Sequence, residues 1–199
     1  MSQRTLIVIG LSVFVAVVSV QAGTETRQAA DALSKKIAAI TQRAEAPRGG
    51  PPASVTLTED ELNSWLVYRS GRYLPAGVSK PSVTLLGGGT VKGVATLDLE
   101  AVARRRSSGG ALDPFSYLGG KLPVTVSGTL HTQAGSGRFD VQSADVAGIP
   151  IPKILLQELL SIYGTSADQP DGVRLDEPFA LPANIQRIDV GLGQMVVVQ

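Results

Sequence analysis

"LPVTVSGTLHTQ" (residues 122–133) places Val124, Val126, Gly128 and Leu130 on one face of an extended chain. Thr125, Ser127, Thr129 and His131 fall on the other. "TVKGVATLDLEAV" (90–102) follows the same period, with Val91, Gly93, Ala95, Leu97 and Leu99 opposed to Thr96, Asp98 and Glu100. Alternation this regular belongs to antiparallel strands with one solvated face. "SVTLL" (82–86) precedes these strands and "GSGRFDVQSADVAG" (135–148) follows after a Gly-Ser-Gly turn. "NIQRIDVGLGQMVVVQ" (184–199) alternates again at Ile188, Val190 and Leu192.

Helical periods interrupt the strands. Between Thr24 and Ala44, Ala30, Leu33, Ile37, Ile40 and Ala44 recur at three- and four-residue spacing, opposite Arg27, Asp31, Lys35, Lys36 and Arg43. "EAPRGGPPAS" (45–54) breaks that helix. "LTEDEL" (57–62) then starts another, with Thr58 as cap, Glu61 as its reciprocal partner, and Leu57 and Leu62 as a hydrophobic staple. Leu62, Trp65 and Leu66 form its apolar side. "GIPIPKILLQELLSIYG" (148–164) predicts a third helix, introduced by Pro150 and Pro152 and apolar nearly all round, so it needs cover on more than one side. The expected fold is therefore α+β, a long curved antiparallel sheet wrapped around one or two apolar helices.

Only 5% of the chain is aromatic while 43% is hydrophobic, so the core is aliphatic. Strand glycines permit bending and close approach but fill no space. A sheet lined in this way can close onto its helices or keep a groove.

The N-terminal segment bears on compartment. "TLIVIGLSVFVAVVSV" (5–20) follows Arg4, and Val20 and Ala22 occupy the small-residue positions of a signal-peptidase site. As a helix the run spans ~24 Å, short of the ~30 Å hydrocarbon core. Residues 1–22 read as an export signal or, uncleaved, as a membrane anchor. Residues 23–44 then form an amphipathic helix, 45–54 a linker, and 55–199 the main domain. Without Arg4, 17 basic side chains balance 17 acidic ones. That offers no electrostatic funnel for nucleic acid.

Chemistry is scarce. The absence of cysteine excludes disulfides, thiol nucleophiles and thiolate metal sites. His131 is the sole histidine and lies on a solvated strand face; no metal-ligand spacing and no nucleophile elbow occur. The glycines of "LLGGGTVKG" and "GLGQMV" lack the following helix that would bind phosphate, and read as turns and bulges. Glu59, Asp60 and Glu61 suit a first helical turn. No catalytic residue, metal or cofactor is expected. "RRRSSGG" (104–110) is the one basic run. It reads as a solvated hairpin loop or as a set of headgroup contacts, since Arg104, Arg105 and Arg106 carry forks suited to lipid phosphate.

"TLTEDELN" (56–63), "VAGIPIP" (146–152) and "LPANIQRIDVGLGQMVVV" (181–198) together resemble the LmeA-like bacterial periplasmic phospholipid-binding family. The resemblance implies a half-barrel of the tubular lipid-binding (TULIP-like) kind, a cavity for acyl chains and action in the cell envelope. Residues 24–44 and the long connection "RRRSSGGALDPFSYLGG" (104–120) depart from that pattern. The expectation is an exported, non-enzymatic protein that binds a lipid or other apolar molecule, with the membrane surface as a further partner. The lining candidates are Leu62, Trp65, Leu66, Leu155, Leu159 and Ile162, between the sheet and helices 58–68 and 152–163. The alternative is a solidly packed, membrane-anchored envelope scaffold that makes protein contacts.

Overall fold

A computed structural model describes residues 25–46, 51–74, 77–98, 120–157, 174–175 and 177–199. The part of the predicted helix 152–163 beyond residue 157, the arginines at 104–106 and the apolar run 5–20 lie outside these residues.

The long strands make one antiparallel sheet. β2 (Val78–Gly87), β3 (Thr90–Asp98), β4 (Lys121–Gln133), β5 (Ser136–Val146) and the short β6 (Ile149–Pro150) lie side by side in that order. β7 (Phe179–Ala180) adds to β5 and completes six strands. The sheet is open. Its register stacks apolar residues in rows across strands: Leu85, Val91, Gly128 and Val141 in one, Val83, Gly93, Val126 and Ala144 in the next. The opposite face carries Thr84, Lys92, Ser127 and Ser143. The inward sets read from alternation on β3 and β4 are thus the ones that align.

β5 breaks its own alternation. Pairing slips between Ser127 and Gly128 of β4, so Val141 and Ala144 both face inward although they are three residues apart. Gln142 lies within the bulge, and its amide donates to Thr129 Oγ1 on β4 at 2.9 Å. The turn before β5 is also displaced from its expected position. Ala134 and Gly135 are the residues with positive φ, and Ser136 already pairs as strand. Such consecutive left-handed residues are what a two-residue hairpin demands.

A smaller sheet orders β1 (Ser54–Thr58), β9 (Gln194–Val198) and β8 (Arg187–Val190), all antiparallel. Leu192 does not continue the alternation of β8; it stands 79% exposed in the turn beyond. A turn and a strand side chain join the two sheets. Gly193 N–H donates to Leu85 O at 2.9 Å, and the Thr132 hydroxyl both donates to Ile188 O (2.9 Å) and accepts from Ile188 N–H (2.8 Å).

Helix α1 (Arg27–Glu45) is capped by Thr26, whose side chain accepts from Ala29 N–H. Its stripe buries Ala30, Leu33 and Ile40, while Ile37 stays 39% exposed. Leu33 and Ile40 pack with Leu57, Leu181, Ile185 and Val197 in one apolar cluster. Each such side chain contributes about 1.5–3 kcal/mol when fully removed from water. The helix is therefore a wall of the core built on the small sheet.

Helix α2 (Glu59–Tyr68) has the expected capping box. Thr58 Oγ1 accepts from Glu61 N–H at 3.2 Å, and Glu61 Oε2 accepts from Thr58 N–H at 3.0 Å. Leu57 and Leu62 meet in the same cluster. Burial alone would raise the Glu61 pKa, but hydrogen bonds from Lys36 and Thr58 and the Lys36 charge outweigh it and hold the carboxyl below its ordinary value. Lys36 Nζ lies 2.7 Å from the carboxylate and ties α1 to α2.

The acidic first turn of α2 does more than complement the helix dipole. Glu59 Oε2 accepts from Leu85 N–H at 2.7 Å, and Asn63 pairs with both backbone groups of Val83 at 2.8 Å. Side chains one helical turn apart thus take the place of a neighbouring strand along the edge of β2.

Candidate functional site

A second apolar cluster lies on the inner face of the large sheet. Ala144, Leu156 and Leu175 are buried there, with Val126, Val141 and Ile151 packed against them. The chain reaches this face from β5 through the Ala147–Gly148 turn, both residues with positive φ, into β6. The proline-rich approach to the helix is therefore a short strand, Ile149–Pro150, followed by a helical segment at 153–157. Leu155 and Leu156 N–H both donate to Pro152 O, which starts the helix and turns Leu156 inward.

Glycines in the strands make room here for rings from elsewhere. A side-chain carbon on Gly128 would stand 2.5 Å from Asp140 O and 2.8 Å from the Phe139 ring; one on Gly137 would stand 2.8 Å from the Phe179 ring. Both rings lie on bare backbone where any larger residue would displace them. Between them and Leu156 is an apolar cleft of about 290 Å³, walled by Val126, Phe139, Leu156, Leu175 and Phe179. The Arg174–Glu177 ion pair, 2.8 Å long and exposed, stands at its rim. A further bond, from Leu175 N–H to Gln157 Oε1 at 2.7 Å, ties the rim segment to the helix.

The lining candidates among the described residues divide between separate apolar clusters. Leu62 and Trp65 pack against the α1 cluster, and Leu66 is half-buried on the same helix. None of these three is a wall of the cleft beneath residues 153–157 among the described residues. Leu155 is half-buried beside it, while its neighbour Leu156 is 3% exposed and forms the wall. Leu159, Ile162 and Arg104, Arg105 and Arg106 lie outside the described residues. Phe139 and Phe179 carry the cleft and were not expected to. Their signal was weak: each matters because of a glycine on another stretch of strand, a pairing no local pattern displays.

The polar face holds the histidine. His131 Nε2 is 3.3 Å from Asp140 Oδ2, the same oxygen that Arg138 Nη2 approaches at 2.9 Å. His131 and Asp140 side chains are 57% and 41% exposed, so water and Arg138 compete for every interaction the pair makes. Asp98 is aligned with Lys121 across β3 and β4. Among the described residues no three His, Asp or Glu side chains gather as metal ligands, and no helix is long and apolar enough to cross a membrane.

A scan of protein-family models and searches of curated proteins and of solved structures find no match to this chain.

Proposed function

We propose that this chain is an exported, non-enzymatic protein that binds a lipid or similar apolar molecule against the inner face of its large sheet. It would serve in the transport or upkeep of envelope lipids with a half-barrel of the TULIP-like kind. The cleft walled by Val126, Phe139, Leu156, Leu175 and Phe179 carries this reading. Its volume of about 290 Å³ lies just below the ~300–1,000 Å³ range of small-ligand pockets. Each acyl methylene taken up would contribute ~0.8 kcal/mol. The rows of half-buried aliphatic residues on β3, β4 and β5 extend the same surface beyond the cleft.

Filling the cleft tests it. Val126→Phe adds bulk where open volume exists, so the variant should fold while organic extracts of the purified protein lose the lipid that wild-type extracts yield by mass spectrometry. Equal lipid in both extracts would refute the cleft as the site, and a wild-type extract free of lipid would refute the function.

A further inference from the structure

A groove of about 650 Å³ opens between α1, α2 and the 3-10 turn Ser70–Arg72, on the helical side of the molecule. Trp65, Tyr68 and Tyr73 line it with Asp31, Ser34 and Arg69. In a chain with 5% aromatic residues, three aromatic side chains meeting at one groove is a concentrated feature. Two of the three are also accessible: Tyr68 is 42% and Tyr73 61% exposed. Rings that served only the core would be covered.

The arrangement of the rings limits what can be bound. Trp65 and Tyr73 stack nearly parallel, 20° apart with centroids at 5.7 Å. They already touch, so no flat aromatic ligand can slide between them. The guanidinium of Arg27 sits 5.5 Å over the Tyr68 ring and takes the place a cation would need. A cage for a quaternary ammonium, which needs several ring faces turned to one point, is therefore not formed. What remains is stacking against one aromatic face, with polar groups alongside.

Those polar groups are balanced. Asp31 and Arg69 form an ion pair across α1 and α2, each side chain about half exposed, and Ser34 lies one turn along from Asp31. The pair sets acceptor oxygens beside a fork of donors and neutralises itself, while Arg27 is held over the Tyr68 ring. One ligand class has a matching shape. A sugar ring offers an apolar face of C–H groups to an aromatic surface, and around its edge neighbouring hydroxyls that both donate and accept.

We propose that this groove binds a carbohydrate ring, stacked on the Trp65–Tyr73 pair and held at its hydroxyl edge by Asp31 and Arg69. The site is separate from the apolar cleft under residues 153–157 and does not depend on lipid binding there.

Trp65 is the only tryptophan, so the emission comes from this groove and the α1 cluster that Trp65 also touches. The full-length protein is titrated with maltotriose, mannotriose and chitotriose to about 50 mM, a range that saturates even millimolar complexes. Glycerol and phosphocholine serve as controls. At least one trisaccharide should give a saturable change in Trp65 emission. Tyr73→Ala should weaken it by about tenfold, the equivalent of one stacking contact, and Tyr73→Phe should restore it. Asp31→Asn should weaken it while Val126→Phe leaves it unchanged. Tyr73→Ala also removes the ring stacked on Trp65, so the melt of each variant is recorded beside its titration, and binding is compared at a temperature well below the lowest melt. No saturable change with any trisaccharide, an equal response to phosphocholine, or unaltered binding in Tyr73→Ala would each overturn the proposal.

Discussion

Asn63→Ala removes the side chain that stands in for a missing strand beside β2. In the folded protein Asn63 Nδ2 donates to Val83 O and Asn63 Oδ1 accepts from Val83 N–H, both at 2.8 Å and both partly buried. Truncation leaves one donor and one acceptor without those bonds. Each unsatisfied buried group costs about 1–3 kcal/mol, and water reaching a partly buried edge recovers a share, so the net loss should be about 2–3 kcal/mol. Urea unfolding monitored by circular dichroism measures this directly. Amide exchange adds the location, because Val83 N–H should lose protection well before residues inside β4. Asn63→Asp separates the two bonds: it keeps the acceptor but turns a carboxylate oxygen toward Val83 O, and should destabilise by a similar amount. A bared edge is also a template for another chain, so the Ala variant should self-associate at concentrations where wild type does not. If Asn63→Ala unfolds within about 0.5 kcal/mol of wild type, the range of ordinary surface substitutions, and Val83 keeps its protection, the edge does not depend on this helix.

Other expectations concern single devices in the fold. Thr58→Ala removes the acceptor for Glu61 N–H and should cost ~1 kcal/mol in urea unfolding. Gly128→Ala drives a methyl group toward Asp140 O and the Phe139 ring, and should cost about 1–3 kcal/mol in the same assay. Glu61 has a depressed folded pKa, so its contribution is complete above the ordinary glutamate value of 4.5 and is lost as pH falls through the lower folded value. The urea midpoint of wild type should therefore fall on acidification across that interval, and Glu61→Gln should flatten this part of the profile.

Local grammar carried much of the fold. The Thr58–Glu61 capping box depends on side chains three residues apart, and strand alternation on β3 and β4 depends on next-but-one neighbours, so both were legible in the sequence. What escaped was the juxtaposition of distant segments. Phe139 reads as one inward residue among several until Gly128 is placed beneath it. Glu59 reads as an ordinary first-turn acid until the edge of β2 arrives beside it. The groove suffered from the same limit. Trp65 and Leu156 are both apolar helical residues, and the expected lipid groove sets their helices around one space; packing puts them against different clusters. The bulge at Gln142 shifted the inward phase of β5, although the spacing of Val141, Ala144 and Val146 held a trace of it.

The small sheet joins chain segments that are synthesised far apart. β1 pairs along its length with β9, and the amide of Gln199 donates to Ile40 O, 159 residues away in sequence, and to Ala183 O. α1 can rest on α2 once both are made, but β1 has no strand partner until β9 has emerged, so this core is completed only after β9 is made. Non-local pairing of this kind slows folding because distant ends must meet before contacts repay the lost freedom. If the chain is exported as we propose, this delay would leave the β1–β9 core open while the chain is moved and let it close once β9 is through.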